Sequence, residues 1–265
     1  MSITARQVVE RIKQQVQCPW SGDTVDTFKA GNPDAAVTGI ATTFLASLDV
    51  LQRAAASGHN FVITHEPTFY NHRDQILSHL EGDKLLAEKQ AFIEKHGLVV
   101  WRFHDHWHRR QPDGITQGVA RKLGWEKYLQ PGAGAVFALP ETTLRSLAGE
   151  LKAKLRATVV RVVGQPQMKV RRVGMLPGAS GAAGQIALLQ RDDVDVVLAG
   201  ETPEWETVEY VRDAATAGKT KALILLGHAN SEEPGMANCA EWLKSFIPEV
   251  PVAFVPAGDP FWSPG

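Results

Sequence analysis

The histidines and acids of this chain gather where runs of aliphatic residues stop. Phe61-Val62-Ile63-Thr64 leads into His65-Glu66, and Val99-Val100-Trp101-Arg102-Phe103 leads into His104-Asp105-His106-Trp107-His108. Ile224-Leu225-Leu226-Gly227 leads into His228, with Glu232 four residues on, and Val196-Val197-Leu198-Ala199-Gly200 leads into Glu201. Imidazole and carboxylate together are the ligand set of a borderline divalent ion such as Zn²⁺, Mn²⁺ or Fe²⁺. A catalytic ion of this kind takes about three protein ligands, and the donors here suffice for two ions.

The clusters differ in what their spacing permits. Neighbouring side chains on an extended backbone point to opposite faces, so His65 and Glu66 suit two adjacent ions better than one. For the second cluster, an extended segment would put His104, His106 and His108 on one face. A turn after Phe103 would instead bring His104 and His108 together at i, i+4. The turn is favoured, with His106 a bystander and Asp105 either a ligand or the carboxylate that orients an imidazole. His228 and Glu232 reach one ion across a single turn. Against that stands a reading in which Ser231 caps a helix and Glu232 and Glu233 answer its dipole ahead of Pro234. Asp105, as bridge or general base, and Glu201, as a proton shuttle beside the substrate, are the candidate catalytic groups. Glu204 and Glu206 read as solvated helix positions, and His72, His79 and His96 as surface or capping residues.

One other motif offers chemistry. Gly178-Ala-Ser-Gly-Ala-Ala-Gly184 follows a strand and opens a helix, where backbone N–H groups could cradle an anion. Its spacing is neither a dinucleotide fingerprint nor a Walker motif, so a tight strand-to-helix turn is the better account and no cofactor-binding residues are assigned. Ser180 sits in no nucleophile elbow.

These residues need elements to carry them. Helix is expected near 4–15, strand near 37–41, helix near 49–57, strand 61–64, helix 83–96 and strand 98–103, with Gly58 and Gly97 closing the helices. That alternation is βαβαβ and predicts a parallel sheet. A turn at 131–134 precedes a second alternating series: strand, helix 142–155, strand 158–163, strand 170–176, short helix to 190, strand 194–199, helix 204–217, strand 222–226, helix 236–246 and strand 252–255. The fold class is therefore α/β, two α/β lobes with mostly parallel sheets flanked by helices, covering 1–134 and 135–265. The alternative is a return of the chain to the first lobe near 222–265. Strands buried on both faces end at one sheet edge, where ligand crevices of open α/β sheets lie, so the metal site is expected in the cleft between the lobes.

Composition narrows the partners. The chain has 265 residues, 44% hydrophobic and 22% charged, with a formal net charge of −1, which argues against a basic nucleic-acid face. No apolar stretch approaches the ~20 residues that span a bilayer, and the N-terminus lacks a signal-peptide layout; a cytoplasmic location and no membrane partner are expected. Cys18 and Cys239 are isolated, without disulfide or thiolate-zinc spacing.

Ile63-Thr-His-Glu-Pro67, the 104–108 run, Ala199-Gly-Glu201 and Gly227-His-x3-Glu232 together resemble the dinuclear-metal, hexameric family of GTP cyclohydrolase I type 2 homologues, the Ngg-one-interacting-factor-three-like proteins. Order and spacing match from about Asp23 to Gly258. The family's T-H-H-P stands here as Thr64-His65-Glu66-Pro67, its H-x3-D as His104-x3-His108, and its closing H-x3-E is intact at His228 and Glu232. One imidazole has become an acid and one acid an imidazole, so their total is kept. The resemblance implies a two-domain α/β protomer, a homohexamer and a metal pair facing an internal cavity. His65, Glu66, His104, Asp105, His108, His228 and Glu232 are the expected ligands of two divalent ions, Zn, Mn or Fe. A metal-dependent hydrolase of a small nucleotide-like or heterocyclic molecule fits this set. So does a non-enzymatic metal-binding or metal-delivery protein, and an anion-binding module at Gly178–Gly184 is a third class.

Overall fold

The computed structural model describes residues 2–264. The chain divides into two compact units, residues 2–115 with 235–257, and residues 116–234 with 258–264.

The first unit opens with α1 (Ala5–Gln15), started by a capping box in which Thr4 and Gln7 satisfy each other's backbone N–H. There follow β1 (Phe28–Ala30), β2 (Ile40–Thr43), α2 (Leu48–Ala56), β3 (Phe61–Thr64), α3 (Lys84–Lys95), β4 (Val99–Arg102) and the short α4 (Asp105–Arg109). Ser47 and Asp83 cap α2 and α3 through their side chains. β1 falls in a polar, glycine- and proline-containing stretch that carries no strand signal. Its pairing is tertiary, antiparallel to β4.

α5 (Gly114–Leu123) crosses from the first unit's residues into the second's. The second unit continues with β5 (Val136–Thr143), α6 (Leu144–Leu155), β6 (Arg161–Val163), β7 (Lys169–Leu176), α7 (Ala182–Leu189) and β8 (Val196–Ala199). A π-helical turn, Glu204–Val208, leads into α8 (Glu209–Thr216), then β9 (Ala222–Leu225) and α9 (His228–Lys244). Its sheet runs β5-β7-β8-β9-β6, with β7, β8 and β9 parallel and both edge strands antiparallel.

α9 starts eight residues earlier than the expected helix at Met236 and runs through Pro234. A proline inside a helix forfeits one i→i−4 bond, which is why its position suggests a helix beginning behind it. One local and one tertiary bond of Ser231 hold the early turn instead. Ser231 Oγ donates to the His228 carbonyl (2.8 Å) and accepts from Gly178 N–H (2.9 Å).

The chain then returns to the first unit. β10 (Val252–Phe254) pairs in parallel with β2 and completes the sheet β1-β4-β3-β2-β10, whose pairs are parallel except β1 with β4.

Alternation along the strands builds both cores. Phe61 and Ile63 of β3 pack with α1 and with Met236 and Leu243 of α9, while Val62 packs with Val50 and Leu51 of α2 and Leu86 and Ile93 of α3. In the second unit Val196 and Leu198 face Leu147 and Leu151 of α6, and Val197 and Ala199 face Leu189 and Val211. The protein is thus an α/β fold with two sheet-containing regions, each flanked by helices. Among the described residues no helix is long and apolar enough to cross a membrane.

Candidate metal centre

The parallel strands of the first unit end at β3 and β4, and the residues just past those ends carry the chemistry. His65 follows β3 and is fully buried. Its backbone N–H donates to Thr43 O (3.1 Å), and its Nδ1 lies 3.1 Å from the carbonyl of Phe103. That carbonyl only accepts, so the proton sits on Nδ1 and Nε2 carries the lone pair. Burial, then the neighbouring His104 and His108, hold the His65 pKa well below the ordinary imidazole value. The ring is neutral, the form that binds metal.

Past β4 the chain turns at once into α4, the i, i+4 arrangement of the two expected for this segment. His108 N–H donates to His104 O (3.1 Å). The turn has an unusual cap. His104 precedes α4 but makes no side-chain cap of its own, and the buried Asp26, 78 residues upstream of His104, does the work. Asp26 Oδ1 accepts from the N–H groups of His104 (2.6 Å) and Asp105 (3.0 Å), and Oδ2 from His106 N–H (2.9 Å) and His106 Nδ1 (2.6 Å). His106 Nε2 in turn accepts from Ser21 N–H (2.9 Å), and its ring stacks on Trp20 at 3.6 Å. Both nitrogens of His106 are engaged in holding the backbone, as befits a bystander to the site. Trp107 is buried and donates to Gly235 O. Gly114 lets it sit there, since a Cβ at 114 would lie 2.2 Å from the indole.

Each of the other two imidazoles is also held at Nδ1, by a carboxylate. His104 Nδ1 lies 2.9 Å from Asp105 Oδ1, and His108 Nδ1 lies 2.8 Å from Asp113 Oδ2. Asp105 Oδ2 accepts from Thr24 Oγ1 (2.7 Å) and Val25 N–H (3.1 Å). Partial burial pushes the Asp105 carboxyl up, but the hydrogen bonds from His104, Thr24 and Val25 outweigh it and hold the group ionised, well below the usual range. Its carboxylate is thus turned to an imidazole, the orienting position.

Glu66 is held by Arg102, the last residue of β4. Arg102 is fully buried and donates through Nε to His65 O (2.9 Å), through Nη1 to His72 O, and through Nη2 to Glu66 Oε2 (3.2 Å). The other Glu66 oxygen lies 3.6 Å from His104 Nε2. Behind Arg102, Asp74 Oδ1 accepts from the N–H groups of Thr68 and Phe69, and Asp74 Oδ2 lies 3.4 Å from Lys29 Nζ. The loop that presents Glu66 is fixed along its length.

These constraints bring one ring nitrogen each of His65, His104 and His108 within 4.8 Å of one another. The ring centroids are 4.6 to 5.0 Å apart. The donors fit a divalent ion: the buried imidazole is neutral, each Nδ1 has an acceptor, and one nitrogen of each ring converges with the other two. An acceptor behind each ligating histidine is the support that metal sites use.

In the second unit the ends of β8 and β9 present Glu201 and His228. His228 Nδ1 lies 3.2 Å from Glu201 Oε1, and its Nε2 lies 3.1 Å from Glu232 Oε2 across one turn of α9. Glu232 is buried whereas the Glu201 side chain is 54% exposed. Close packing accounts for the first glycine of the glycine-rich segment. Gly178 has φ +64°, and a Cβ on it would lie 2.0 Å from Glu232 Oε1 and 3.1 Å from His228 Nε2. A Cβ on Gly200 would meet Gly178 O at 2.6 Å and Ser231 Oγ at 2.7 Å. The buried Gln185 then fixes the strand exits, donating to Glu201 O (3.0 Å) and Ser180 Oγ (3.1 Å) and accepting from Thr207 (2.8 Å).

Other sequence candidates lie apart from this chemistry. Glu204 pairs with Arg161 (2.7 Å), and His96 packs its ring on Phe92. His72 approaches the His104 ring edge-on at 6.1 Å. Three residues that organise the site went unassigned in the sequence: Asp26, Asp113 and Arg102. Arg102 had a signal, a cation inside an aliphatic run that must be paired if buried. Asp113 before Gly114 reads as a helix opener, and Asp26 is one polar residue among many.

An α/β chain of two sheet-bearing units with this assembly of histidines and carboxylates is of the kind that carries a dinuclear metal site. Residues 4–260 match the family model of Duf34/NIF3 (NGG1p interacting factor 3), and the chain belongs to that family. A GTP cyclohydrolase 1 type 2 homolog of Clostridium acetobutylicum is 24% identical over 228 residues, covering 82% of this chain and 80% of the relative. One of Chlamydia trachomatis is 21% identical over 240 residues, covering 88% and 89%. The crystal structure of a Bacillus cereus protein related to NIF3 superposes with a TM-score of 0.76 at 16% identity, over 98% of this chain and 99% of that one.

Proposed function

We propose that the protein is a dinuclear metal-dependent hydrolase of a small nucleotide-like or heterocyclic molecule. Two divalent ions, Zn, Mn or Fe, would draw their ligands from His65, Glu66, His104, His108, His228 and Glu232. The observation that carries the reading is the convergence of His65, His104 and His108, each with Nδ1 against an acceptor. When bound, such a pair activates water and polarises a carbonyl, imine or phosphoryl oxygen.

The chain's own residues have distinct tasks. Phe103 O, Asp105 and Asp113 keep the proton on Nδ1 of His65, His104 and His108, so that the opposite nitrogen is the donor. Arg102 fixes Glu66. Glu201, exposed and against His228 Nδ1, orients that imidazole and is positioned to pass a proton to or from solvent. The names of the curated relatives, GTP cyclohydrolase 1 type 2 homologs, support a heterocyclic substrate, and the family resemblance supports a homohexamer.

The test is a turnover screen of metal-loaded protein over purine nucleotides, cyclic amides and phosphoesters, with His65→Ala and His228→Ala alongside. Metal-dependent turnover abolished in both variants is expected. Tight metal binding with no turnover of any class would favour metal storage or delivery, and unchanged metal content in both variants would sink the metal reading altogether.

A further inference from the structure

The carboxyl edge of the second unit's sheet carries more than Glu201 and His228. β8 ends at Ala199 and β9 at Leu225, just before those two residues. β6 runs antiparallel to β9 with Arg161 opposite Leu225, so the start of β6 lies at the same edge. Around it the unit leaves three large aromatic side chains in solvent, Trp205 (77% exposed), Phe261 (68%) and Trp262 (78%). Each is tied to this edge. Glu204, next to Trp205, pairs with Arg161 (2.7 Å). Asp259, just before Phe261, accepts through Oδ2 from Thr158 N–H (3.1 Å) and from Asn230 Nδ2 (2.9 Å), and Asn230 stands on the turn of α9 between His228 and Glu232.

The ring of Trp205 is exposed but its backbone is fixed. It sits on the π-helical turn Glu204–Val208, a form that occurs frequently at functional sites. Thr202 Oγ1 donates to Thr207 Oγ1 (3.1 Å), Thr207 Oγ1 to Gln185 Oε1 (2.8 Å), and the buried Gln185 through Nε2 to Glu201 O (3.0 Å). One chain of hydrogen bonds therefore ties the turn to Glu201, and four residues of chain keep Trp205 within ~14 Å of it. An aromatic side chain on a fixed backbone offers a large face and has little freedom to lose on binding.

The surroundings of the ring select its occupant. Glu201, Glu204 and Glu206 are exposed, and Arg161 answers one of the three, so the loop is negative. Acids are depleted from the dry centres of protein interfaces, and an anionic lipid surface is repelled by them. A planar ring needs only the aromatic face, since every base has one and stacks without regard to sequence. A polyphosphate attached to that ring would meet the carboxylates.

We infer that Trp205, with Phe261 and Trp262 on the same sheet edge, is a stacking platform for a planar nitrogen heterocycle without phosphate, a base or nucleoside. The inference deepens the proposed function and rests on its reading of Glu201 and His228 as site residues, but it concerns ring recognition rather than the metal.

Equilibrium dialysis of the full-length protein, metal-loaded and chelator-treated, against guanosine, adenosine and GTP tests it. Chelator-treated wild type is expected to bind both nucleosides, and GTP no more tightly than guanosine. Trp205→Ala should weaken nucleoside binding about 5- to 150-fold in both forms without lowering the melting temperature, and Trp205→Phe should retain most of the affinity. No nucleoside bound by wild type in either form, GTP preferred by the chelator-treated protein, or unchanged affinity in Trp205→Ala would each overturn the inference. A fall in sedimentation coefficient with unchanged nucleoside affinity in Trp205→Ala would overturn it by assigning the ring to a contact between copies. Nucleosides bound through Trp205 by a protein that holds no metal would overturn the metal reading and leave this one standing, whereas metal-dependent turnover indifferent to Trp205→Ala would do the reverse.

Discussion

Asp26 is the residue on which the histidine-bearing turn depends, and replacing it by asparagine tests that dependence with almost no change of shape. The buried carboxylate accepts four hydrogen bonds, two on each oxygen, from His104 N–H, Asp105 N–H, His106 N–H and His106 Nδ1. An asparagine amide offers only one oxygen. Whichever way it is turned, its NH2 group faces two donors and leaves both without an acceptor. A buried donor stripped of its partner costs ~1–3 kcal/mol, so Asp26→Asn should destabilise the first unit by roughly 2–6 kcal/mol, a large part of a total stability of ~5–15 kcal/mol. Urea unfolding of chelator-treated protein, followed by tryptophan emission, reads this directly, because Trp20 stacks on His106 and Trp107 lies within the turn. The same substitution lets His104 and His108 drift, and Zn²⁺ affinity should fall about 10- to 100-fold, as when other supports of ligating histidines are lost. A variant that unfolds within about 0.5 kcal/mol of wild type, the span of an ordinary surface substitution, and binds Zn²⁺ equally well would show that the cap does not organise the site.

Two further outcomes follow from the same geometry. Gly178→Ala forces a Cβ to 2.0 Å from Glu232 Oε1 at a φ of +64°; the expected cost is about 1–3 kcal/mol of stability, with fewer bound metal equivalents by elemental analysis, and a fully loaded, equally stable variant would refute the proposed close approach. His65 is buried neutral with its pKa well below the ordinary value, so the unfolded chain takes up its proton near pH ~6.5 while the folded one does not. Stability of the metal-free protein should therefore fall as pH drops below ~6.5, by up to about 1.4 kcal/mol per pH unit from this group, and His65→Gln should remove that share of the slope; equal slopes in the two proteins across pH 5 to 6.5 would contradict it.

The elements that the sequence made legible are those whose stability is local or periodic. β3 occupies 61–64 as expected, because four buried residues between turn signals admit little else, and α3 lies within one residue of the expected 83–96 at each end because Asp83 and Gly97 mark both ends. β1 was not legible, since Phe28–Ala30 becomes a strand only by pairing with β4. The start of α9 was hidden by Pro234, whose local penalty is outweighed by contacts from Gly178, a residue more than fifty positions away.

For the site the division is similar but has a different cause. Candidate donors are legible because three histidines in five residues after an aliphatic strand are a dense set of ring nitrogens, although one of them, His106, serves the backbone instead, whereas their supports are ordinary aspartates whose meaning is wholly tertiary. Arg102 links the two levels. Taken by spacing alone, Glu66 for histidine and His108 for aspartate look like two independent departures that happen to cancel in number. In the fold each is tied to a support of its own, Glu66 to Arg102 and His108 to Asp113. A fully buried guanidinium at the end of β4 requires an acid within reach, and two stand there, Glu66 at 3.2 Å and the buried Asp74 at 4.0 Å. A carboxylate engaged in that way would be a poorer metal donor, whereas an imidazole at 108, held in place by Asp113, offers a third ring nitrogen within 4.8 Å of those of His65 and His104.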